Sequence, residues 1–371
     1  MQSNGECARC AEWRARGARF CGNCGRPLDI SGCPMCQICR ERGDAYCRSC
    51  GRSLADMPPG TDGTGKKKIL EDVFNPVAAA CTVLFIILCI AAFIVVLSRS
   101  AGILDELGGK SLGVYIPLGL SDIVLFRMRG TLLCAYFVFE VIVIGVCILL
   151  TLRRSLTADS VRSGNLAHSD MGVCATLLAT SLGISMIYFF IMGSGGHSVD
   201  ASWMNEYSDN ILTFLLTNAG FQEEIAYRVI PVGIPVAAVA LLAGRGARSW
   251  KLLLGGFGMS KTAFVFIILS AVLFGLAHYE GWGWVKIIQT FAAGLIFAYA
   301  YVQYGLHVSI LIHFVNDTAS LVPVLGVIAD MILMFAGVFF LVYWILNRNR
   351  AVYDVREMPA FPEIPGEKSE K

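Results

Sequence analysis

Charge is scarce in this sequence: 16% of its 371 residues are Asp, Glu, Lys or Arg, 56% are hydrophobic, and the mean hydropathy is +0.62. That deficit excludes an ordinary soluble domain and places the chain among polytopic membrane proteins. Histidine is rarer still, with five in all, and no H-E-x-x-H helix is present, so a zinc protease of that pattern is excluded. The apolar segments show no internal repeat, which disfavours a transporter built from two related halves. A cleavable signal peptide is also missing; the first apolar run starts near Val77. The formal net charge of +2 says little by itself.

Cysteine is plentiful but unevenly placed, with nine of the fourteen falling before residue 51. Cys7, Cys10, Cys21 and Cys24, followed by Gly25-Arg26, recur 26 residues later as Cys33, Cys36, Cys47 and Cys50, followed by Gly51-Arg52. Two C-x-x-C pairs per copy supply four thiolates for a tetrahedral zinc, and so short a segment needs the metal to fold. Residues 1–54 are therefore expected to form a double zinc ribbon holding structural zinc in a reducing compartment; Cys39, without a counterpart in the first copy, can compete with Cys33 as a ligand. Nine arginines and five acids in this region admit an anionic partner, yet such a module more often docks a cytosolic protein than nucleic acid. Residues 55–72 read as a flexible basic linker that includes Lys66-Lys67-Lys68. The remaining cysteines, Cys81, Cys89, Cys134, Cys147 and Cys174, lack ligand spacing and behave as small apolar residues.

Eight apolar runs follow, at about 77–97, 131–152, 171–192, 210–243, 262–278, 284–301, 307–321 and 323–346. The fold expected is an all-α polytopic membrane protein of about eight transmembrane helices behind the ribbon domain. Pro231 and Pro235 are expected to break the overlong fourth run. Loop arginines and lysines, among them Arg153, Arg154, Arg162, Lys251 and Lys261, put both termini in the cytoplasm. Arg99, Lys110, Arg127 and Arg129 dissent from the first outer loop, where residues 111–126 are expected to form a short interfacial or re-entrant helix. Residues 347–371, polar and proline-containing, read as a disordered cytoplasmic tail.

The fourth run contains Phe221-Gln-Glu-Glu-Ile-Ala-Tyr-Arg228. A charged side chain at the bilayer centre costs about 3 kcal/mol, so three together mark a site. Glu224 and Arg228 share a helix face and can pair; Glu223, about 100° away, is left without a cation and is the better base. Later runs add Phe274 with His278, and His313 with Asp317 four residues on and Asn316 beside it. A structural Glu-Arg clamp and a packing histidine are the plain alternatives.

The order E-E-x-x-x-R, F-x-x-x-H, H-x-x-x-N/D resembles the CPBP intramembrane proteases, which include the type II CAAX prenyl endopeptidases and the Abi proteins. The likeness covers residues 173–346, so 73–172 are read as additional N-terminal transmembrane helices. It implies an endopeptidase in which Glu223 activates water with help from His278, Glu224 orients the site through Arg228, and His313, held by Asp317, donates to the oxyanion. Prenyl endopeptidases usually carry Asn where this chain has Asp317, whereas Abi-like members accept either. A catalytic zinc on His278, His313 and a glutamate is the metal version of the same site, and metal-free water activation is slightly favoured. The substrate implied is a membrane-associated peptide or protein, with or without a prenyl group. A non-catalytic membrane adaptor or immunity-type protein recruiting partners through the ribbons is the alternative. Glu140, within the second run, is read as either an interhelical hydrogen-bond partner or a cavity residue.

Overall fold

The computed structural model describes residues 65–117, 122–156, 165–242 and 249–346. The eight expected zinc ligands, residues 1–64 as a whole and the 347–371 tail lie outside the described residues.

Each apolar run falls in its own helix: α1 (Gly65–Leu107), α2 (Thr131–Ser155), α3 (Asp170–Ser194), α4 (Asp209–Leu242), α5 (Lys261–Ala277), α6 (Trp284–Tyr304), α7 (Leu306–Thr318) and α8 (Leu325–Leu346). Six have the length and composition to cross a membrane, α1 doing so from Val73; α5 has 17 residues and α7 only 13. Serine oxygens cap α3, α4 and α5, where Ser169, Ser208 and Ser260 accept from Gly172, Ile211 and Ala263.

Polar contacts gather the helix ends into two sets. At one end Arg154 of α2 lies 3.6 Å from Asp170 of α3 and 3.3 Å from His307 of α7, and Phe74 of α1 stacks on Tyr343 of α8 at 4.1 Å. At the other, Arg99 donates to Thr213 and pairs with Asp209, while Glu106 accepts from Ser208 and Asn210. The described ends of α1 and α8 thus lie on the same side of the bundle. Satisfying Arg99 in this way also lets α1 run ten residues past the expected end of its apolar run.

α3 and α8 make the tightest helix pair, because Gly183 and Gly337 face one another. A Cβ on Gly183 would stand 2.6 Å from the Gly337 backbone, and one on Gly337 would strike the Ala179 carbonyl. Small residues permit the close backbone approach that holds helices together where lipid removes the hydrophobic drive. Gly337→Leu is expected to cost about 2 kcal/mol, seen as a lowered thermal midpoint in detergent, because overpacking forces the helices apart.

Two expectations fail. The described residues 111–117 and 122–126 form no helix; an antiparallel hairpin, β1 (Ser111–Pro117) and β2 (Asp122–Arg129), stands there, with a bulge between Val114 and Tyr115. Alternating Leu112, Val114 and Ile116, with β-branched and aromatic neighbours, suits a pleated ribbon better than a helix. Nor does proline break the fourth run. The chain stays helical from Asp209 to Leu242 by adopting π geometry over Ala219–Glu223 and Ile225–Gly233. Bonding i to i+5 accommodates Pro231, which has no N–H to give and would clash in an α turn.

Candidate active site

Glu223 and Arg228 lie in those π turns, and Glu224 stands between the two. A wider turn holds more residues, so successive side chains diverge less in angle than in an α-helix. Glu223 and Glu224 accordingly both reach one imidazole. α7 delivers it: Gly220 lets the α7 backbone come close, since a Cβ there would lie 2.7 Å from the Phe314 Cα.

His313 is the hub. Its Nδ1 is 2.7 Å from Glu224 Oε1, and its Nε2 is 3.3 Å from Asp317 Oδ2 and 3.7 Å from Glu223 Oε2. A neutral imidazole donates from one nitrogen only, so serving Glu224 and Asp317 together takes both ring protons. Asn316 Nδ2 donates to Asp317 Oδ1 at 2.8 Å. Phe297 lies against the His313 ring at 4.9 Å, and the Phe274 ring meets it edge-on at 5.8 Å.

Glu224 is held from the opposite side by Arg228, 3.3 Å away, and both side chains are fully buried. Ser309 donates to Glu224 Oε2. Arg228 Nη1 donates to Ser270 Oγ at 2.9 Å, Ser270 hydrogen-bonds the Tyr227 carbonyl, and the guanidinium lies 4.7 Å above the Phe274 ring. The buried pair therefore carries hydrogen bonds and a cation–π contact, which a buried ion pair needs to offset its desolvation.

Glu223 and Asp317 differ from that pair in accessibility: each side chain is 19% exposed, against 0% for Glu224 and Arg228 and 3% for His313. The reachable side of the cluster thus bears two carboxylates, and the sealed side bears the ion pair. One Glu223 oxygen has no hydrogen-bond partner in its buried recess.

His278 caps α5 and is half-buried. Its Nδ1 is 2.8 Å from the Phe274 carbonyl, which can only accept, so Nδ1 carries the hydrogen and Nε2 is left with a lone pair. The Phe274 ring joins it to the hub, 4.7 Å from His278 on one side and 5.8 Å from His313 on the other. An open cleft of about 360 Å³, lined by Asp200, Tyr279, Glu280, Gly281, Gly283 and Trp284, begins at the residue after His278.

The donors do not fit a catalytic zinc as they stand. Both His313 nitrogens face carboxylates, and His278 Nδ1 faces a carbonyl. No group of three or more His, Cys, Asp or Glu side chains among the described residues is arranged to hold a metal ion.

Sequence reasoning missed Ser309, Ser270 and the hairpin. The two serines had a signal: each stands four residues before a site residue, His313 or Phe274, in an otherwise apolar run. The hairpin's signal was the alternation of Leu112, Val114 and Ile116, and it reaches the site: Gln222 donates to its Gly113 carbonyl at 3.2 Å, and Tyr115 packs against the cluster of Ala226, Tyr227 and Phe274. Glu140 is fully buried on α2, one helical turn from Tyr136, which is its polar neighbour and whose hydroxyl lies 3.2 Å from Asn218.

Residues 209–319 match the family model described as type II CAAX prenyl endopeptidase, Rce1-like. The match runs from the start of α4 to just beyond α7, and so includes all seven residues singled out from the three motifs. It supports the CPBP likeness and an integral membrane protease of CAAX type. It is narrower than the 173–346 read from the motifs, leaving α3 and α8 outside. No curated protein and no solved structure matches the chain.

Proposed function

We propose that the chain is an intramembrane endopeptidase that hydrolyses a peptide bond of a membrane-associated substrate. The observation that carries this reading is the convergence on His313 of acids from two helices, with Glu223 and Asp317 accessible and Glu224 and Arg228 sealed behind them.

Amide hydrolysis needs a base for water, a donor for the oxyanion and an acid for the leaving amine. Glu223 takes the proton of a water at the accessible side as its oxygen attacks the carbonyl carbon. His278 Nε2, with its free lone pair, assists from across Phe274. The Nε2 contacts of His313 are loose, at 3.3 and 3.7 Å, and an oxyanion lying between the two acids receives that N–H. The proton held by Glu223 then passes to the leaving nitrogen as the C–N bond breaks, which restores the carboxylate. Glu224, fixed by Arg228 and Ser309, keeps the His313 ring in place through Nδ1.

The N-terminal cysteines, Cys7 through Cys50 as set out above, hold two structural zinc ions in ribbons that recruit a cytosolic protein, and both termini are cytoplasmic. The substrate class is tested with the full chain in lipid vesicles, using a library of C-terminal peptides, each with and without a prenyl group on its C-a-a-X cysteine. Mass spectrometry is expected to find a released C-terminal fragment, with prenylated members cut faster. Absence of cleavage throughout would contradict the reading.

A further inference from the structure

We infer that the β1–β2 hairpin lies in the membrane interface, with the apolar residues of β2 seated at the headgroup–acyl boundary and its arginines on lipid phosphates. The hairpin joins the end of α1 at Leu107 to the start of α2 at Thr131, two helices fit to span a bilayer, so it emerges where hydrocarbon gives way to headgroups. Within it the strands differ. Residues 112–116 of β1 are part-buried, and Tyr115 and Gly113 touch α4 and α5 beside the active site. β2 is the outer strand. Ile123, Val124, Leu125 and Phe126 are 52, 47, 55 and 53% exposed.

Successive residues of a strand point to opposite faces, so four exposed in a row means that neither face of β2 is packed over this stretch. A ribbon with one buried and one wet face alternates apolar and polar residues; this one does not, and such an apolar outer strand in water pairs with other chains. Basic residues complete the pattern. Arg127 and Arg129, both exposed and two apart on one strand face, flank the apolar stretch, with Lys110 exposed at the base of β1. Met128 between the arginines is 4% exposed, so the strand turns into the protein where its charges begin. Apolar side chains beside arginines that reach phosphate is the chemistry of an interfacial element. Because β1 closes one side of the site, the same ribbon offers a peptide arriving along the bilayer surface a direct approach to Glu223.

The test is photo-crosslinking in vesicles of phosphatidylcholine and phosphatidylglycerol, with Phe126→p-benzoylphenylalanine in the full chain. The same replacement at Phe335, 65% exposed near the middle of α8, reports acyl chains as a reference. Mass spectrometry is expected to find phospholipid adducts at position 126 in yield comparable to 335. With Arg127→Gln and Arg129→Gln added, the 126 yield should fall about thirtyfold and the 335 yield stay unchanged, since each of the two surface cations contributes roughly 1 kcal/mol. No lipid adduct at 126 while 335 reacts, or a crosslinked dimer as the main product, overturns the inference; an undiminished yield in the glutamine variant overturns its phosphate half. If the 126 variant does not insert, the probe moves to Leu125, whose exposure is nearly the same.

Discussion

Glu223→Gln is expected to reduce peptide cleavage about a thousandfold and to leave the protein as stable as before. The size follows from the role proposed for it, since a positioned general base contributes roughly 10² to 10⁴ and an amide cannot take up the proton. Stability is spared because the carboxylate has little to lose. Its nearest cationic group is His313 at 3.7 Å, one oxygen has no hydrogen-bond partner, and two other acids share the same imidazole. The pair of readouts is kcat/KM on the peptide in vesicles and the thermal midpoint in detergent. A variant that unfolds early would make Glu223 structural, and an undiminished rate would remove it from the chemistry and end the proposed function.

Arg228→Met should do the reverse, costing about 4 kcal/mol of stability, enough to prevent recovery of folded protein or to lower its midpoint sharply. Removing one partner of a buried ion pair leaves the other charge uncompensated, typically at about 3 to 5 kcal/mol. Here both partners are fully buried, and the guanidinium also bonds Ser270 and lies over Phe274. Adding Glu224→Gln to Arg228→Met should recover part of the loss, because the amide has no charge to strand, keeps its one carbonyl oxygen as acceptor for His313 and turns its NH2 toward the Ser309 hydroxyl oxygen. A double variant no more stable than Arg228→Met alone would show that the Phe274 and Ser270 contacts, not the pairing, support this wall. In both variants turnover must be compared at equal folded fraction, since Glu224 orients His313.

Helical spacing made the pairs within one helix legible in advance. Glu224 with Arg228 and His313 with Asp317 are each four apart, and the structure has each in contact. Contacts between helices were not legible, because they depend on depth. Counting about 1.5 Å of rise per residue from one common surface would put His278 much farther across than His313, yet Phe274, one turn before His278, touches the His313 ring. The error lies in the common start. α6 and α7 are joined by Gly305 alone, at φ +109°, and Gly256 and Gly258 of the connecting segment bond back to the Tyr301 and Val302 carbonyls beside that turn. α7 therefore begins at the end of the bundle where His307 meets Arg154 and Asp170, and seven residues bring His313 level with the site. Likewise, proline signalled a helix end at Pro231, and only tertiary packing shows that a wider turn absorbs it.

That wider turn has one more effect, on chain length. Two neighbouring acids address opposite nitrogens of a single ring because the backbone between them is underwound. Side chains at 223 or 224 can be exchanged without disturbing that phase, but deleting one residue from Ile225 to Tyr227 would shorten the four-residue spacing between Glu224 and Arg228 and turn the guanidinium away from its present alignment with its acid. In this stretch the number of residues is constrained as strictly as their kind.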